Sequence, residues 1–203
     1  MLDYIKAEIQ SSYKLKKELI TDLNLMAKVL EVAQKAVTVY RSGHKILIAG
    51  NGGSAADAQH LAAELVGRFN FDRPGLPALA LTMDTSILTA VGNDYGFEQV
   101  FARQVAANGQ AGDLFIGLST SGNSGNIIQA LRACKERGIT TAGFTGKTGG
   151  KMADLCDVCL CVPSTETPRI QEAHIMIGHI ICSVIEKTLF WAESAAVNED
   201  RSN

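Results

Sequence analysis

A histidine and a glutamate, His60 and Glu64, stand four residues apart in a stretch with helical spacing. Residues at i and i+4 project from one face of a helix, about one turn apart. This spacing suits a shared metal ion or an acid/base pair, because imidazole and carboxylate both bind metals and carry protons. A solvated surface pair has the same spacing, so both alternatives stay open. The position of the pair favours chemistry, because its helix follows the glycine-rich residues 50–54.

Two loops of small polar residues follow apolar, strand-like runs: residues 50–54 (GNGGS) and residues 119–124 (STSGNS). The second loop offers four hydroxyls and a glycine just before a helix, where free N–H groups and the helix dipole attract anions such as phosphate. A loop that merely caps its helix is the alternative, and the presence of two such loops weakens it. The first loop lacks the third glycine and the acid of a dinucleotide fingerprint, and it lacks the Gly-Lys-Ser/Thr of a P-loop. Nucleotide binding is therefore disfavoured.

Further candidates lie in the second half of the chain and between the two loops. His179 stands in an apolar stretch, where a buried imidazole needs a partner, and Gln171 lies on the same predicted helix. His174 has no evident partner, so we predict a surface or packing residue. Asn93 and Asp94 stand between glycines, which predicts a turn that can reach the same cleft.

Composition restricts the possible functions. The 203 residues suit one large domain, and 19 Lys and Arg against 21 Asp and Glu leave no basic excess for nucleic acid. No uninterrupted apolar run approaches the ~18 residues of a membrane span, which predicts a soluble, cytoplasmic protein without membrane partners. The odd count of five cysteines favours reduced thiols. Cys156, Cys159 and Cys161 alternate with apolar residues, so we expect small buried side chains there rather than a metal site.

Strands and helices must alternate to position these groups. Apolar runs at residues 45–49, 77–82, 113–118, 140–145 and 157–162 are separated by helical stretches. This order predicts an α/β fold, with a five-stranded parallel sheet flanked by helices on both faces. We predict helices at residues 85–91 and 149–155, and a long one from Pro168 to about Trp191.

The predicted organisation has three parts. Residues 1–44 form two helices separated near Thr21 and Asp22, which pack on the domain or on neighbouring subunits. Residues 45–192 form the sheet domain. Residues 193–203 are a polar tail that we expect to be disordered.

These motifs together resemble a known family. The residues are STSGNS at 119–124, GNGGS at 50–54, His60, Glu64, VGND at 91–94 and RIQExH at 169–174. The chain is similar to the bacterial phosphoheptose isomerase family of the sugar isomerase (SIS) domain superfamily, over about residues 2–190. The resemblance implies a flavodoxin-like three-layer sandwich and a homotetramer with zinc-dependent sites between subunits. It also implies conversion of D-sedoheptulose 7-phosphate to D-glycero-D-manno-heptose 7-phosphate, for the heptose of lipopolysaccharide core.

The resemblance assigns roles to individual residues. The zinc ligands fall on His60, Glu64, Gln171 and His179. The acid/base pair falls on Glu64 and His179. The substrate contacts fall on Asn51, Gly52, Gly53, Ser54, Glu64, Asn93, Asp94, Ser119, Thr120, Ser121, Ser124 and Gln171. Gln171 and His179 are eight residues apart, ~12 Å along a helix, so one ion touching both needs long reach, a distorted first turn or a second subunit.

Two other functions belong to relatives of this superfamily. One is a non-enzymatic adaptor of the replication-initiator-associating type, which lacks the acid on the first-loop helix and the second histidine. Glu64 and His179 are both present here, which favours the enzyme. The other is a sugar-phosphate-sensing regulator, which needs a DNA-binding region that the first 44 residues do not contain.

Overall fold

The computed structural model describes the backbone of residues 1–200 and the side chains of residues 1–191. Within this part of the chain, five strands and seven α-helices alternate, with two short 3-10 helices. The strands are β1 (Ile46–Ala49), β2 (Ala78–Ala80), β3 (Leu114–Leu118), β4 (Thr140–Thr145) and β5 (Val158–Cys161). The helices are α1 (Leu2–Thr21), α2 (Leu23–Arg41), α3 (Gly53–Val66), α4 (Thr85–Tyr95), α5 (Val100–Asn108), α6 (Gly125–Glu136) and α7 (Thr167–Asp200). The 3-10 helices span Phe97–Gln99 and Gly150–Met152.

The strands form one parallel sheet in the order β2-β1-β3-β4-β5. Ile48 lies beside Ile116, and Ile116 lies beside Ala142, so the carboxyl ends of the central strands meet at one edge. The chain runs from β1 outward to β2 and then returns to β3 on the other side of β1. Ligands of open parallel sheets bind outside the carboxyl ends of the strands, at such a reversal. The predicted fold class is confirmed.

Helices cover both faces of the sheet, because strand side chains alternate in direction. Ile46 and Ile48 of β1 point into a core shared with α1, α2, α3 and α7. Leu47 and Ala49 point into a second core shared with α5 and α6. The helices that follow the two polar loops, α3 and α6, therefore lie on opposite faces while starting from neighbouring strands.

The two N-terminal helices are separated at the residue that the sequence indicates. The Asp22 side chain accepts a hydrogen bond from the backbone N–H of Leu25 at 2.9 Å and so caps α2. Gly43, with φ of +76°, follows the end of α2. The apolar residues of α2 are only partly buried, since Met26 and Leu30 are 43% and 49% exposed.

Three elements differ from the sequence predictions. No helix was predicted between residue 91 and the strand at 113, where the structure has α5 directly after the 3-10 helix Phe97–Gln99. The helix predicted at 85–91 extends to Tyr95, so the predicted turn at Asn93 and Asp94 is wrong and both residues lie in the last turn of α4. The helix predicted at 149–155 is a single 3-10 turn, because Gly149 and Gly150 both have positive φ.

The long helix α7 is apolar enough between Thr167 and Trp191 to span a membrane by length and composition. It packs against α2 and α3, with Ile177 and Ile181 in the core, and it buries the polar His174 and Glu186. The core helix of a folded domain has these properties, so we interpret α7 as one. The predicted tail starts at residue 193 and the long helix was predicted to end near Trp191, whereas the helical backbone of α7 continues to Asp200. Side chains after residue 191 lie outside the described part of the chain, and disorder of the tail stays a prediction.

Candidate functional site

The loops after β1 and β3 lie at the carboxyl edge of the sheet, between the two neighbouring strands where the strand order reverses. A Cβ at Gly50 would overlap the backbone carbonyl of Ser54, and Gly52 has a φ of +57°, so this tight turn requires glycine. The Asn51 and Asn126 amides exchange two hydrogen bonds: Asn51 Nδ2 donates to Asn126 Oδ1 at 2.9 Å, and Asn126 Nδ2 donates to Asn51 Oδ1 at 2.8 Å. This reciprocal pair joins the start of α6 to the loop that leads into α3.

The hydroxyl-rich loop curls over the start of α6. Ser119 Oγ lies 2.8 Å from Ser124 Oγ and 3.5 Å from Ser121 Oγ, and Gly122 closes the turn with a φ of +66°. Ser124 is the N-cap residue of α6, yet its side chain makes no capping hydrogen bond. Ser119 is buried, whereas Thr120 is half-buried and Ser121 is exposed. Hydroxyls gathered at a helix N-terminus are the donors that a phosphate monoester needs.

Helices α3 and α7 run side by side at unusually close range. A Cβ at Gly178 of α7 would lie 2.6 Å from Cδ2 of Leu61, so only glycine lets α7 approach α3 there. At the N-terminal end of this contact, Gly53 of α3 lies against Gln171 of α7, and a Cβ at Gly53 would lie 2.8 Å from Nε2 of Gln171. Both helices start at the carboxyl edge of the sheet, so they run in the same direction.

This contact brings together two imidazoles and a carboxylate. His60 Nε2 lies 2.9 Å from His179 Nε2 and 3.2 Å from Glu64 Oε1. The side chain of His60 is 50% exposed and that of Glu64 is 22% exposed, so the cluster opens to solvent. The ring of Phe69 lies 5.5 Å from the ring of His179 and covers one side. Helical spacing predicted the His60–Glu64 pairing, the family resemblance grouped His179 with it, and the fold brings His179 there from a different helix.

The donor chemistry of this cluster fits zinc. One ligand atom from each of His60, Glu64 and His179 lies within 4.8 Å of the others. Two imidazoles and a carboxylate form a known catalytic zinc set, which leaves a coordination position for water or substrate. The amide of Gln171, the fourth predicted ligand, lies against Gly53, two helical turns before His60 along α3, and its role as a ligand stays a prediction.

His174 is a packing residue, one of the two alternatives that the sequence left. Its side chain is completely buried, and Nε2 lies 3.1 Å from the backbone carbonyl of Thr145. Burial lowers the pKa of His174 to about 4, against the opposing effect of the Thr145 hydrogen bond. The ring stacks edge-on against Phe144 at 5.8 Å, so His174 supports the end of β4.

Two groups of predicted residues lie apart from the cluster. Asn93 and Asp94 are exposed on α4, and Asn93 Nδ2 donates to Asp94 Oδ1 at 2.8 Å. Ser54 is buried in the first turn of α3. The roles of these residues as substrate contacts stay predictions.

Of the three clustered cysteines, the central one is buried as the sequence predicts. Cys159 is buried, and its Sγ lies 3.8 Å from that of Cys161, which is half-buried like Cys156. The hydrogen bond with Cys159, together with burial, raises the pKa of the Cys161 thiol. A protonated thiol is a poor metal ligand.

Three polar residues near the cluster escaped the sequence analysis. Asp57 lies one turn before His60, and burial raises its pKa against the opposing charges of His60 and His179. Arg73 and Glu186 form an ion pair in which both side chains are at most 2% exposed. A glutamate within the apolar run of α7 was the available signal, because an unpaired buried carboxylate is costly.

Comparison with known proteins agrees with this geometry. A family model described as the SIS domain matches residues 11–146. The chain is 65% identical over 190 residues to the phosphoheptose isomerase of Aneurinibacillus thermoaerophilus, covering 94% of this chain and 96% of the relative. The chain belongs to the phosphoheptose isomerase family. It is also 58% identical over 190 residues to the phosphoheptose isomerase of Sulfurimonas denitrificans, covering 94% and 97% of the two chains.

A solved structure of the phosphoheptose isomerase from Neisseria gonorrhoeae has the same architecture. Its TM-score against this chain is 0.86 at 44% identity, with 92% of this chain and 98% of that one covered. A second, from Francisella tularensis, gives a TM-score of 0.88 at 38% identity, again covering 92% and 98%. Membership of an isomerase family identifies this chain as an enzyme, rather than the adaptor that the sequence left as the alternative.

Proposed function

We propose that this phosphoheptose isomerase family member converts D-sedoheptulose 7-phosphate to D-glycero-D-manno-heptose 7-phosphate. The supporting observation is the cluster of His60 and Glu64 on α3 with His179 on α7, at the same edge of the sheet as the hydroxyl-rich loop. An aldose–ketose isomerase needs a phosphate anchor that stays fixed and a base and acid near the carbonyl. This arrangement supplies both.

The proposed reaction is a proton transfer through an enediolate. Glu64 removes the proton from C1 of the ketose, and the electrons of that C–H bond form the C1–C2 double bond as the carbonyl oxygen gains a proton. A proton then returns to C2, while the C1 hydroxyl loses its proton to become the aldehyde. His179, 2.9 Å from His60 at the same cluster, exchanges protons with the substrate on the side opposite Glu64.

We propose zinc as the cofactor, held by His60, Glu64 and His179. A bound zinc ion would polarise the substrate carbonyl and stabilise negative charge on the enediolate. Gln171 is the proposed fourth ligand, which requires its amide to leave the contact with Gly53 by a change of rotamer. A carboxylate that binds zinc tightly is a poor base. We therefore propose that the Glu64 carboxylate leaves the zinc ion when it removes the proton from C1.

The substrate would lie along the edge between the two loops. The phosphate is placed against the hydroxyls of Ser119, Thr120, Ser121 and Ser124 and the free amides at the start of α6. The sugar hydroxyls are placed near the Asn51–Gly53 turn, with Asn93 and Asp94 reaching the same cleft. The Asn51 amide is held by Asn126, which leaves its backbone as the group that faces the sugar.

We propose a homotetramer with sites between subunits. Two solvent-exposed apolar surfaces support this proposal. One is the groove between α1, α2 and α7, where Met26, Leu30 and Ile180 are 43–49% exposed. The other is the outer face of α1, where Ile5 and Ile9 are at least half exposed. Apolar patches of this kind mark subunit interfaces. Helix α4 is a further uncovered element, since none of its residues is buried, and it carries Asn93 and Asp94.

The proposed cellular role is the supply of heptose for lipopolysaccharide core or a related glycan, by a cytoplasmic enzyme. The test is product formation from D-sedoheptulose 7-phosphate by zinc-loaded protein, followed by NMR. Chelation should abolish the reaction and added zinc should restore it, while His60→Ala should lower the zinc content measured by elemental analysis. Full activity in metal-free protein would exclude zinc from the mechanism. No isomerisation by zinc-loaded protein would reject the proposed substrate.

A further inference from the structure

A single buried arginine closes the carboxyl end of α3, the helix that carries His60 and Glu64. Arg73 donates from Nη2 to the backbone carbonyl of Glu64 at 2.9 Å, and from Nη1 to the carbonyls of Leu65 at 2.7 Å and Gly67 at 3.1 Å. The last carbonyls of a helix have no partner within it and carry the negative end of its dipole. The Arg73 guanidinium satisfies both needs, at the backbone of the proposed base itself.

The same guanidinium pairs with Glu186 of α7. Arg73 Nε donates to Glu186 Oε1 at 3.1 Å, and that carboxylate also accepts from the backbone N–H groups of Phe69 at 2.9 Å and Asn70 at 2.6 Å. Burial alone would raise the pKa of Glu186, but these backbone hydrogen bonds and the Arg73 charge lower it. The side chain of Asn70 adds a bond to Ser183 Oγ at 3.2 Å. These hydrogen bonds hold the segment between α3 and β2 against α7.

The contacts of Arg73 and Glu186 lie close to the cluster of His60, Glu64 and His179. Glu186 follows His179 by seven residues, which is two turns and about 10 Å along the same face of α7. Phe69, whose N–H binds Glu186, presents its ring to the imidazole of His179 at 5.5 Å. The pair therefore connects the helix of His60 and Glu64 to the helix of His179 about two turns beyond the place where their side chains meet.

We propose that Arg73 and Glu186 are positioning residues, whose buried ion pair sets the separation of α3 and α7 and so holds the zinc-binding cluster in register. Neither residue touches substrate. The proposal rests on the proposed function, because the register matters most when one ion binds both helices. Partners hydrogen-bonded directly to metal ligands contribute about 10–100-fold to metal affinity or activity, and we take that range as the upper limit for a pair that acts through the helix backbone.

Arg73→Lys tests the proposal, because it keeps the charge but loses the planar fork that reaches α3 and Glu186 together. We expect the zinc dissociation constant, from competition with a chromophoric chelator, to rise by about 10–100-fold. We expect kcat to fall by a similar factor. KM should stay within about twofold of wild type, because the loop proposed to bind phosphate leads into α6, on the opposite face of the sheet from α3. Lys45→Met is the matched control, since it removes the 2.7 Å ion pair to the equally buried Asp113 at the opposite edge of the sheet. The control should lower Tm and leave zinc affinity unchanged.

Two further measurements keep the proposal falsifiable. If Arg73→Lys fails to fold, Arg73→Met with Glu186→Met removes both charges, a change that buried ion pairs often tolerate. This double variant should fold and bind zinc more weakly than wild type. Hydrogen exchange of the metal-free protein gives a readout independent of zinc: the amides of Phe69, Asn70 and residues 62–66 should exchange faster in Arg73→Lys, whereas those of β3 should not.

The outcomes separate this proposal from the proposed function. Unchanged exchange, or wild-type zinc affinity in the folded Arg73→Lys or double variant, would overturn the positioning role while leaving the isomerase intact. An equal loss of zinc affinity in Lys45→Met would show a general effect of lost stability and would also overturn it. If wild-type protein neither binds zinc nor isomerises the heptose, the proposed function fails, and the exchange experiment alone decides whether the pair sets the helix separation.

Discussion

Gly178→Ala should separate α3 from α7 beside the cluster. The added methyl would stand 2.6 Å from Leu61 Cδ2 and 2.7 Å from Cδ1, closer than carbon atoms approach. Leu61 is 3% exposed and cannot swing into solvent, so overpacking should cost about 1–3 kcal/mol. Alanine in place of a mid-helix glycine returns about 1 kcal/mol. The net loss in unfolding free energy is therefore about 0–2 kcal/mol, or up to about 8 °C in Tm for a chain of this size.

Thermal unfolding measures this effect against a matched glycine. In Gly92→Ala of α4, the methyl would meet Val100 Cγ1 at an ordinary 3.9 Å, so the helix-propensity gain of about 1 kcal/mol should appear in full. Leu61→Val shortens the clashing side chain, so it should recover stability in Gly178→Ala by about 1 kcal/mol in a double-mutant cycle. Gly178→Ala that stabilises the protein as much as Gly92→Ala would refute the close helix contact.

Three further perturbations test other parts of the molecule. Ser121→Ala or Ser124→Ala should raise KM more than it lowers kcat, because the phosphate does not change during the reaction; losses confined to kcat in both variants would move the phosphate elsewhere. His174 titrates at about pH 4 when folded and near 6.5 when unfolded, so its stabilisation is complete above about pH 6.5 and is lost as pH falls toward 4. Urea unfolding should therefore show the advantage of wild type over His174→Gln shrinking by about 2 kcal/mol between pH 7 and 5, and a constant advantage would contradict the neutral buried ring. Met26→Lys should reduce the oligomer mass in light scattering, and an unchanged mass would place the interface elsewhere.

The parallel sheet and the sequence of strands along the chain were predictable, because each strand is a short apolar run followed by a polar loop. The His60–Glu64 pair was predictable for a similar reason, since its geometry depends only on local helical spacing. Asn93 and Asp94 were misplaced because adjacent glycines suggest a turn, whereas the helix of residues 85–95 begins with an Asp84 cap and continues through Gly92.

Long-range contacts set the limit of the sequence analysis. The joining of His179 to His60 depends on how closely α3 and α7 pack, which the sequence shows only as one glycine at 178. The Arg73–Glu186 pair lies 113 residues apart along the chain, and no local pattern links its members. Sequence spacing describes one element at a time, whereas these contacts join two elements.

Isomerisation in heavy water shows whether Glu64 removes the C1 proton of a ketose phosphate. We expect deuterium at C2 of the aldose product by NMR, because the proton on the base exchanges with solvent before its return. We also expect Glu64→Gln to stay folded while kcat falls by about 10²–10⁴. Near-normal turnover in Glu64→Gln, or a product whose C2 hydrogen comes entirely from the substrate, would contradict this role of Glu64.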